Sequence, residues 1–317
     1  VMIVLISVGC NTSAPSVEPS TDPLPIEQTR ESTPFEQPLP ATSTLTLTRA
    51  ILATPVPSQT PSQTPALPTA VLSPTAEPTL SSTEAAAFVL NLLQVNDDCL
   101  FPCWWGATPN ETTWQEFEPF LARFATEIIN LESVRPNNPL ETYEVHINVP
   151  MQFSPTGQLI LFYTTRNGVI ENIEIELGNS PTYSLPELLT KYGPPSDVGL
   201  SSYSQSRDNN LPFRTILFYL DQGFMVTYFD NAEEKSGNIV GCPQQSDDQF
   251  IRAWLWNPES GIVIGDIFDK SPLIDQSQAY LPLEEATNID LEDFHEIFKD
   301  VNNTSCIQTP ADLWPSP

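Results

Sequence analysis

Five cysteines are the residues whose spacing most directly constrains the chemistry of this 317-residue chain. Cys10 follows a short apolar run, and the other four lie after residue 84. Cysteines of an exported protein meet an oxidising environment and are read as disulfides. Three pairings of the four are possible. We predict Cys99–Cys103, which closes a tight loop, and Cys242–Cys306, which fastens the C-terminal region to a strand region.

Histidine and acidic side chains could also bind a metal or act in catalysis, but they do not form a recognised sequence motif. Zinc sites need closely spaced Cys or His ligands, whereas His146 and His295 lie far from the cysteines. We expect His146 to be a core or surface residue of a strand. The acid-rich stretch 290–300 lacks the rhythm of a calcium loop. Serine-hydrolase, zinc-protease, P-loop and dinucleotide motifs are missing, so we assign no catalytic, cofactor-binding or metal-ligating residue.

The formal net charge of -28 narrows the choice of partners. Residues 84–317 carry 34 of the 40 acidic and 10 of the 12 basic residues. A body this acidic repels phosphate, so we expect no nucleic-acid partner. The charge favours solubility; the alternative is attraction of cations or of a basic partner. Two carboxylates would also serve a glycosidase, but the sequence does not select two among 34.

Two tryptophan pairs could bind a ligand or build a core. Trp104 and Trp105 directly follow a cysteine, where they form either an exposed ligand platform or the cover of a small core. Trp254 and Trp256 alternate with apolar residues, a period-2 pattern typical of a strand with its aromatic rings on one face. That face is either a binding strip or the side that packs under the helices. All four are retained as possible binding aromatics.

Residues 1–10 have the features of a lipoprotein export signal. The apolar run is too short to span a bilayer and resembles the end of a signal peptide. Ser7-Val8-Gly9-Cys10 is similar to the lipobox of bacterial lipoproteins at Gly9 and Cys10, but has Ser7 where an aliphatic residue is commoner. The resemblance implies that Cys10 is lipidated and anchors the protein to the membrane. The alternative is an ordinary signal end with an incidental cysteine.

Residues 11–83 have the composition of a disordered linker. They hold 14 of the 33 prolines, many Ser and Thr, and no Gly, Cys or Trp. Proline lacks the backbone donor of a helix or a sheet ladder, and the few apolar residues cannot offset the chain entropy lost on folding. In polyproline II conformation, a segment of this length reaches on the order of 200 Å. We expect it to carry a domain through a cell wall.

Residues 84–317 have the composition of a folded extracellular domain, and all six tryptophans lie there. Helix starts, each marked by Ser or Thr as a potential N-cap, are predicted near residues 82–84, at Thr113 and at Ser184. A last amphipathic helix is predicted at about 290–302. The tail, residues 307–317, ends in Pro-Ser-Pro and is expected to fray.

Two sequence echoes predict an internal repeat. Gly106-Ala-Thr-Pro109 recurs as Gly178-Asn-Ser-Pro181, each time before a predicted helix. Ile160-Leu-Phe-Tyr163 recurs as Ile216-Leu-Phe-Tyr219, each time before a turn with glycine between strand-like runs, which is a hairpin signal. We therefore predict an α+β fold. It comprises two repeated helix plus antiparallel β-meander units, at about 99–177 and 178–256, after the disordered N-terminal linker.

These motifs resemble known groups of proteins. A Gly-x-Thr-Pro turn, a helix and an antiparallel meander, twice over, look like the fold of the β-lactamase-inhibitor protein and of the outer-membrane assembly lipoproteins of the BamE/SmpA type. The helix end Lys191-Tyr-Gly-Pro-Pro195 fits both groups. Cys-x-x-Pro-Cys-Trp-Trp-Gly-x-x-Pro at 99–109, followed by Thr-Thr-Trp, is similar to uncharacterised Chloroflexota lipoproteins. The resemblance covers about 99–256. No residue set that grips a β-lactamase can be placed, so inhibition is not implied.

Together these features predict a lipid-anchored, extracytoplasmic protein that is not an enzyme and binds another protein or a cell-wall component. Edge strands and aromatic sheet faces suit such recognition. The main alternative is a wall- or glycan-acting hydrolase, for which two carboxyl groups about 5–10 Å apart in a deep cleft would be expected. A substrate-binding lipoprotein of a transporter is less favoured, since alternating βαβ units are missing. The membrane is an expected partner only through the lipid on Cys10.

Overall fold

The computed structural model describes residues 79–131, 140–205, 211–244, 250–270 and 280–316. Cys10 and residues 11–78 of the predicted linker lie outside this part of the chain. The helices are α1 Ser82–Val95, α2 Trp114–Leu121, α3 Leu185–Tyr192, α4 Ile264–Lys270, α5 Leu283–Ala286 and α6 Leu291–Phe298. The strands are β1 Glu127–Leu131, β2 Leu140–Asn148, β3 Gln158–Arg166, β4 Val169–Gly178, β5 Asp197–Ser201, β6 Pro212–Tyr219, β7 Phe224–Asn231, β8 Glu233–Lys235, β9 Asn238–Gly241, β10 Phe250–Trp256, β11 Leu281–Pro282 and β12 Ile307–Pro310.

Nine of these strands form one antiparallel sheet in the order β1-β2-β3-β4-β10-β7-β6-β5-β11. A second, three-stranded sheet has the order β12-β9-β8. Helices combined with a large antiparallel sheet confirm the predicted α+β class. β1 to β4 run in chain order from one edge to the middle, where β4 pairs with β10.

The two faces of the large sheet differ in what packs on them. On the face here called the core face, strand residues such as Leu161, Ile175 and Leu217 pack in one apolar cluster with residues of α1, α2 and α3. The opposite face carries a smaller apolar cluster beside β6, β7 and β10, to which α4 contributes Ile267. On the same face, the side chains of β2 and β3 are half-buried or exposed.

Capping hydrogen bonds through a side chain form at two of the three predicted helix starts. Ser81 and Glu84 form a capping box at α1, so this helix already includes residues 82 and 83, which the sequence had placed in the linker. Thr113 caps α2 in the same way, with Glu116 closing the box. Ser184 is the N-cap residue of α3, as predicted, but its side chain makes no capping hydrogen bond.

Both predicted hairpins are confirmed. Asn167 and Gly168 connect β3 to β4 with φ values of 53° and 79°, the pair of positive φ angles that a type I′ hairpin turn requires. Gly223 connects β6 to β7 with φ 75°. A Cβ at Gly223 would overlap with the carbonyl oxygen of Trp256, so glycine is needed there for conformation and for space.

The C-terminal region is more ordered than the sequence predicts. Residues 307–310 form β12, which pairs with β9, and Trp314 is buried with its indole N–H donating to Thr309 Oγ1 at 3.2 Å. The expectation of a frayed tail from residue 307 is therefore wrong, because strand pairing and one buried ring hold it. The last helix, α6, ends at Phe298 rather than near residue 302.

The two tetrapeptide echoes do not lie at corresponding places in the large sheet. Ile160–Tyr163 lies on β3, one strand away from the central β4. Ile216–Tyr219 lies on β6, two strands away from the central β10. This echo reflects similar strand composition, not equivalent position.

None of the helices described above is both long and apolar enough to cross a membrane.

Candidate functional site

The structure confirms both predicted disulfides. Cys99 is bonded to Cys103, with Cα atoms 5.7 Å apart, and Cys242 is bonded to Cys306, with Cα atoms 4.2 Å apart. The second bond connects the end of β9 to the residue before β12, so it fastens the C-terminal strand to its neighbour. Paired cysteines of this kind indicate an oxidising, extracytoplasmic compartment.

The first disulfide belongs to a loop, residues 99–107, that a buried asparagine organises. The side-chain amide of Asn96 donates to the carbonyl oxygens of Cys99 and Cys103, both at 2.9 Å. Its carbonyl oxygen accepts from the backbone N–H of Trp105 at 3.0 Å. One side chain thus satisfies three backbone groups that would otherwise be unpaired in the interior, which fixes the loop.

Trp104 and Trp105 are buried inside this fold, not displayed on it. Their rings stack with centroids 4.6 Å apart, and both belong to the apolar cluster of the core face. Phe101 of the same loop stacks on Tyr183 with centroids 5.5 Å apart. The exposed ligand platform considered for the two tryptophans is therefore not present; they cover the core.

Trp254 and Trp256 are also buried, but on the opposite face. Ile251, Ala253 and Leu255 belong to the core cluster, whereas both tryptophans belong to the smaller cluster with Ile267 of α4. The predicted alternation along β10 is thus confirmed, and a helix covers its aromatic side. The rings are not exposed as a binding strip, because α4 and the neighbouring apolar side chains occupy their outer surface.

Beside the covered tryptophans, the same face of the sheet carries a row of charged side chains. We call this set, Glu144, His146, Glu174, Glu176 and Arg252, the acidic face. The strand register places the five on one side: Glu174 lies opposite Phe162 and Trp254, and Glu176 lies opposite Arg252. On β2, Glu144 lies opposite the same Phe162. Three carboxylates from two strands therefore share one surface.

Two cation–carboxylate contacts order the acidic face. Arg252 Nη2 contacts Glu176 Oε1 at 2.6 Å across the β4–β10 pair. The Arg252 guanidinium also lies 5.7 Å from the ring centroid of Phe229 and 5.0 Å from that of Phe250. Its position is therefore fixed by a carboxylate and two aromatic rings. Burial raises the pKa of Glu176, and the charge of Arg252 opposes that rise.

His146 is the second cationic group of this surface. Its Nε2 lies 2.6 Å from Glu144 Oε1. Burial disfavours the protonated ring, but hydrogen bonds to Gln158 and Glu144 outweigh it, so the pKa of His146 is raised. The imidazole consequently gains charge more readily than a free histidine, which balances Glu144 at mildly acidic pH.

Glu174 differs from its neighbours because it is buried without a partner. Only 5 % of its surface is exposed. Among the residues that the structure describes, none forms a hydrogen bond or an ion pair with its carboxylate. Desolvation raises the pKa of Glu174 to about 7, with Arg252 opposing the rise and Glu176 adding to it. The side chain can therefore hold or release a proton near neutral pH.

The arrangement can do two kinds of chemistry. It can accept cationic or hydrogen-bond-donating groups, or it can transfer a proton through Glu174. In the described ranges, no three His, Cys, Asp or Glu side chains are grouped so that they could hold a metal ion.

The acidic face was not identified from the sequence, although part of its signal is readable there. In Asn172-Ile-Glu174-Ile-Glu176-Leu, polar and apolar residues alternate, which places the polar ones on one face of a strand. The sequence gives no indication that β4 pairs with β10. That pairing brings Arg252 to Glu176 and buries Glu174 beside Trp254.

Comparisons with protein-family models, curated proteins and solved structures gave no significant match to this chain.

Proposed function

We propose that this protein is a lipid-anchored, extracytoplasmic binding protein without enzymatic activity, and that its acidic face contacts a protein or cell-wall ligand. The observation that carries this proposal is the half-buried row of charged side chains on a sheet face, beside a cluster covered by α4. Such a surface offers directional charged contacts beside the half-buried ring of Phe162, and complementary charges of this kind steer a partner and fix its register.

The mode of attachment is proposed from the sequence. A lipid on Cys10 would hold the chain at the membrane, and the proline-rich linker, residues 11–83, would separate the folded domain from it. The two disulfides agree with this placement, since they form in an oxidising compartment. A linker of this composition is an extended spacer, and its use in an anchored protein is to reach a partner at a distance.

We further propose that the two halves of the large sheet are copies of one unit. In support, α2 precedes β1 to β4, α3 precedes β5, β6, β7 and β10, and each series runs from near one edge to the central β4–β10 pair. Gly106 and Gly178 both have positive φ and stand shortly before α2 and α3. A superposition of the two halves with strands out of register would reject the duplication.

Site-specific photo-crosslinking on the intact envelope tests the binding function. A photoreactive residue at Thr164, half-buried on the same side of β3 as Phe162, is expected to capture a defined partner. The matched control places the same group at Asn91, an exposed residue of α1 on the other side of the sheet. Equal capture from both positions, or none from Thr164, would reject the acidic face as the contact surface.

A hydrolase remains the second candidate because of one observation, the raised pKa of Glu174. A general acid needs a pKa near the working pH. Glu176 lies two residues further along the same strand face, about 6.6 Å away between Cα atoms, so the two carboxyl groups share one surface, as those of a glycosidase pair do. Incubation of the full chain with cell-wall glycan decides this: no new reducing ends exclude it, whereas turnover abolished by Glu174→Gln would establish it.

A further inference from the structure

Glu174 is an acceptor left without a donor at a defined place in the fold. With 5 % of its surface exposed, it is one of the most buried carboxylates that the structure describes. A carboxylate in such a place normally receives hydrogen bonds from the protein. No described side chain or backbone group supplies them to Glu174, and because its oxygens are not fully enclosed, solvent water is the donor that remains for a ligand to replace. The position therefore has unused capacity for a donor.

In the described part of the chain, the strand neighbours of Glu174 are covered to different degrees. On β10, its neighbour Trp254 is buried under the α4 cluster. On β3, its neighbour Phe162 is half-buried, and beyond Phe162 lies Glu144, which is partly exposed. Glu174 thus marks the border between the covered and the open part of the sheet face. Among the described residues, the side of Phe162 is therefore the less covered approach to Glu174.

Arg252, the cationic side chain closest to Glu174 in the strand register, does not form an ion pair with it. Arg252 lies opposite Glu176 and contacts it at 2.6 Å, and the rings of Phe229 and Phe250 flank its guanidinium. Arg252 lowers and Glu176 raises the pKa of Glu174, and the effect of Arg252 is the larger of the two. A cation from outside the chain would still meet a carboxylate that Arg252 does not contact directly, because Arg252 contacts Glu176.

We propose that Glu174 and Phe162 form a subsite for one arginine side chain of a basic protein ligand. The inference rests on the proposed binding function and names its ligand class. Guanidinium is more weakly hydrated than ammonium and stacks on aromatic rings while it pairs with a carboxylate, which suits a buried carboxylate next to a phenyl ring. The excess of acidic residues in residues 84–317 attracts such a ligand electrostatically over a longer range.

The test is a binding titration with the full chain carrying Cys10→Ser, which removes the lipid site. The probe is a fluorescent Gly/Ser peptide with three arginines, compared with the same peptide carrying three lysines, at the physiological ionic strength of about 0.15 M. The arginine peptide is expected to bind more tightly. Glu174→Gln is expected to weaken it about tenfold, as loss of a charge-assisted hydrogen bond does. Glu234→Gln, an exposed carboxylate on β8, is the charge-matched control, with less than a twofold effect.

A second readout separates the subsite from diffuse charge attraction. An arginine bound to Glu174 favours its charged form, so binding at about neutral pH should release a proton from the wild-type chain and not from Glu174→Gln. Equal weakening by Glu174→Gln and Glu234→Gln, equal binding of the two peptides, or no proton release would each overturn the arginine subsite. Capture at Thr164 would persist in those cases, whereas failure of the binding function removes capture as well.

Discussion

Replacing Glu174 with glutamine should change how the stability of the protein depends on pH. The glutamine has nearly the same shape and cannot ionise, so the variant removes one titration from an otherwise unchanged sheet face. Burial raises the pKa of Glu174 from 4.5 to about 7 in the folded chain. The folded state therefore binds a proton that the unfolded state has already lost between these two values.

The sign and size of the effect follow from this difference. The stabilising contribution of protonated Glu174 is fully present below about pH 4.5 and is lost as the pH rises through about 7. The difference between the folded-state and unfolded-state pKa of Glu174 corresponds to about 3 kcal/mol of unfolding free energy. The glutamine variant lacks this loss. Relative to wild type, it should gain on the order of 3 kcal/mol between pH 4.5 and pH 8.

Urea unfolding of both proteins at a series of pH values measures the difference directly. An effect that is the same at every pH, such as an unpaired amide in the variant, shifts the difference in unfolding free energy by a constant. The change of that difference with pH is therefore the test. Glu234→Gln serves as the control, because that side chain is exposed on β8 and its difference from wild type should stay flat. A flat difference for Glu174→Gln as well would refute the argument that burial governs this carboxylate.

Four further outcomes are expected. Asn96→Ala should lower the unfolding free energy by about 2–4 kcal/mol in urea titrations, since three backbone groups lose a partner; unchanged stability would contradict that role. Replacing Cys242 and Cys306 together by serine should cost about 4 kcal/mol by chain entropy for a separation of 64 residues, seen as a lower urea midpoint. Gly178→Ala should reduce thermal stability, because φ is 55° and a Cβ would overlap with a neighbouring carbonyl oxygen; calorimetry would show it. Cys10→Ser should move the protein from the membrane to the soluble fraction in cell fractionation, and retention would reject the lipid anchor.

Local patterns in the sequence were sufficient for the elements whose signals are short-range. The Thr113–Glu116 capping box and the Asn167-Gly168 turn depend on residues a few positions apart, so their chemistry can be read directly. The alternation along β10 likewise fixed which side chains share a face. The disulfide pairs were predicted correctly, but the four cysteines allowed three pairings, so the structure decided which one forms.

Long-range pairing decided the rest. The side on which β10 buries Trp254 and Trp256 depends on α4, which no pattern within β10 encodes. The tail became a strand only because β9 lies next to it. Glu174 has an ordinary place in an alternating sequence, and its unusual environment comes from pairing with β10, more than seventy residues later. Burial and charge are properties of neighbours in space, so the sequence alone determined the elements and their polarity, while the tertiary structure determined which carboxylate could become a site.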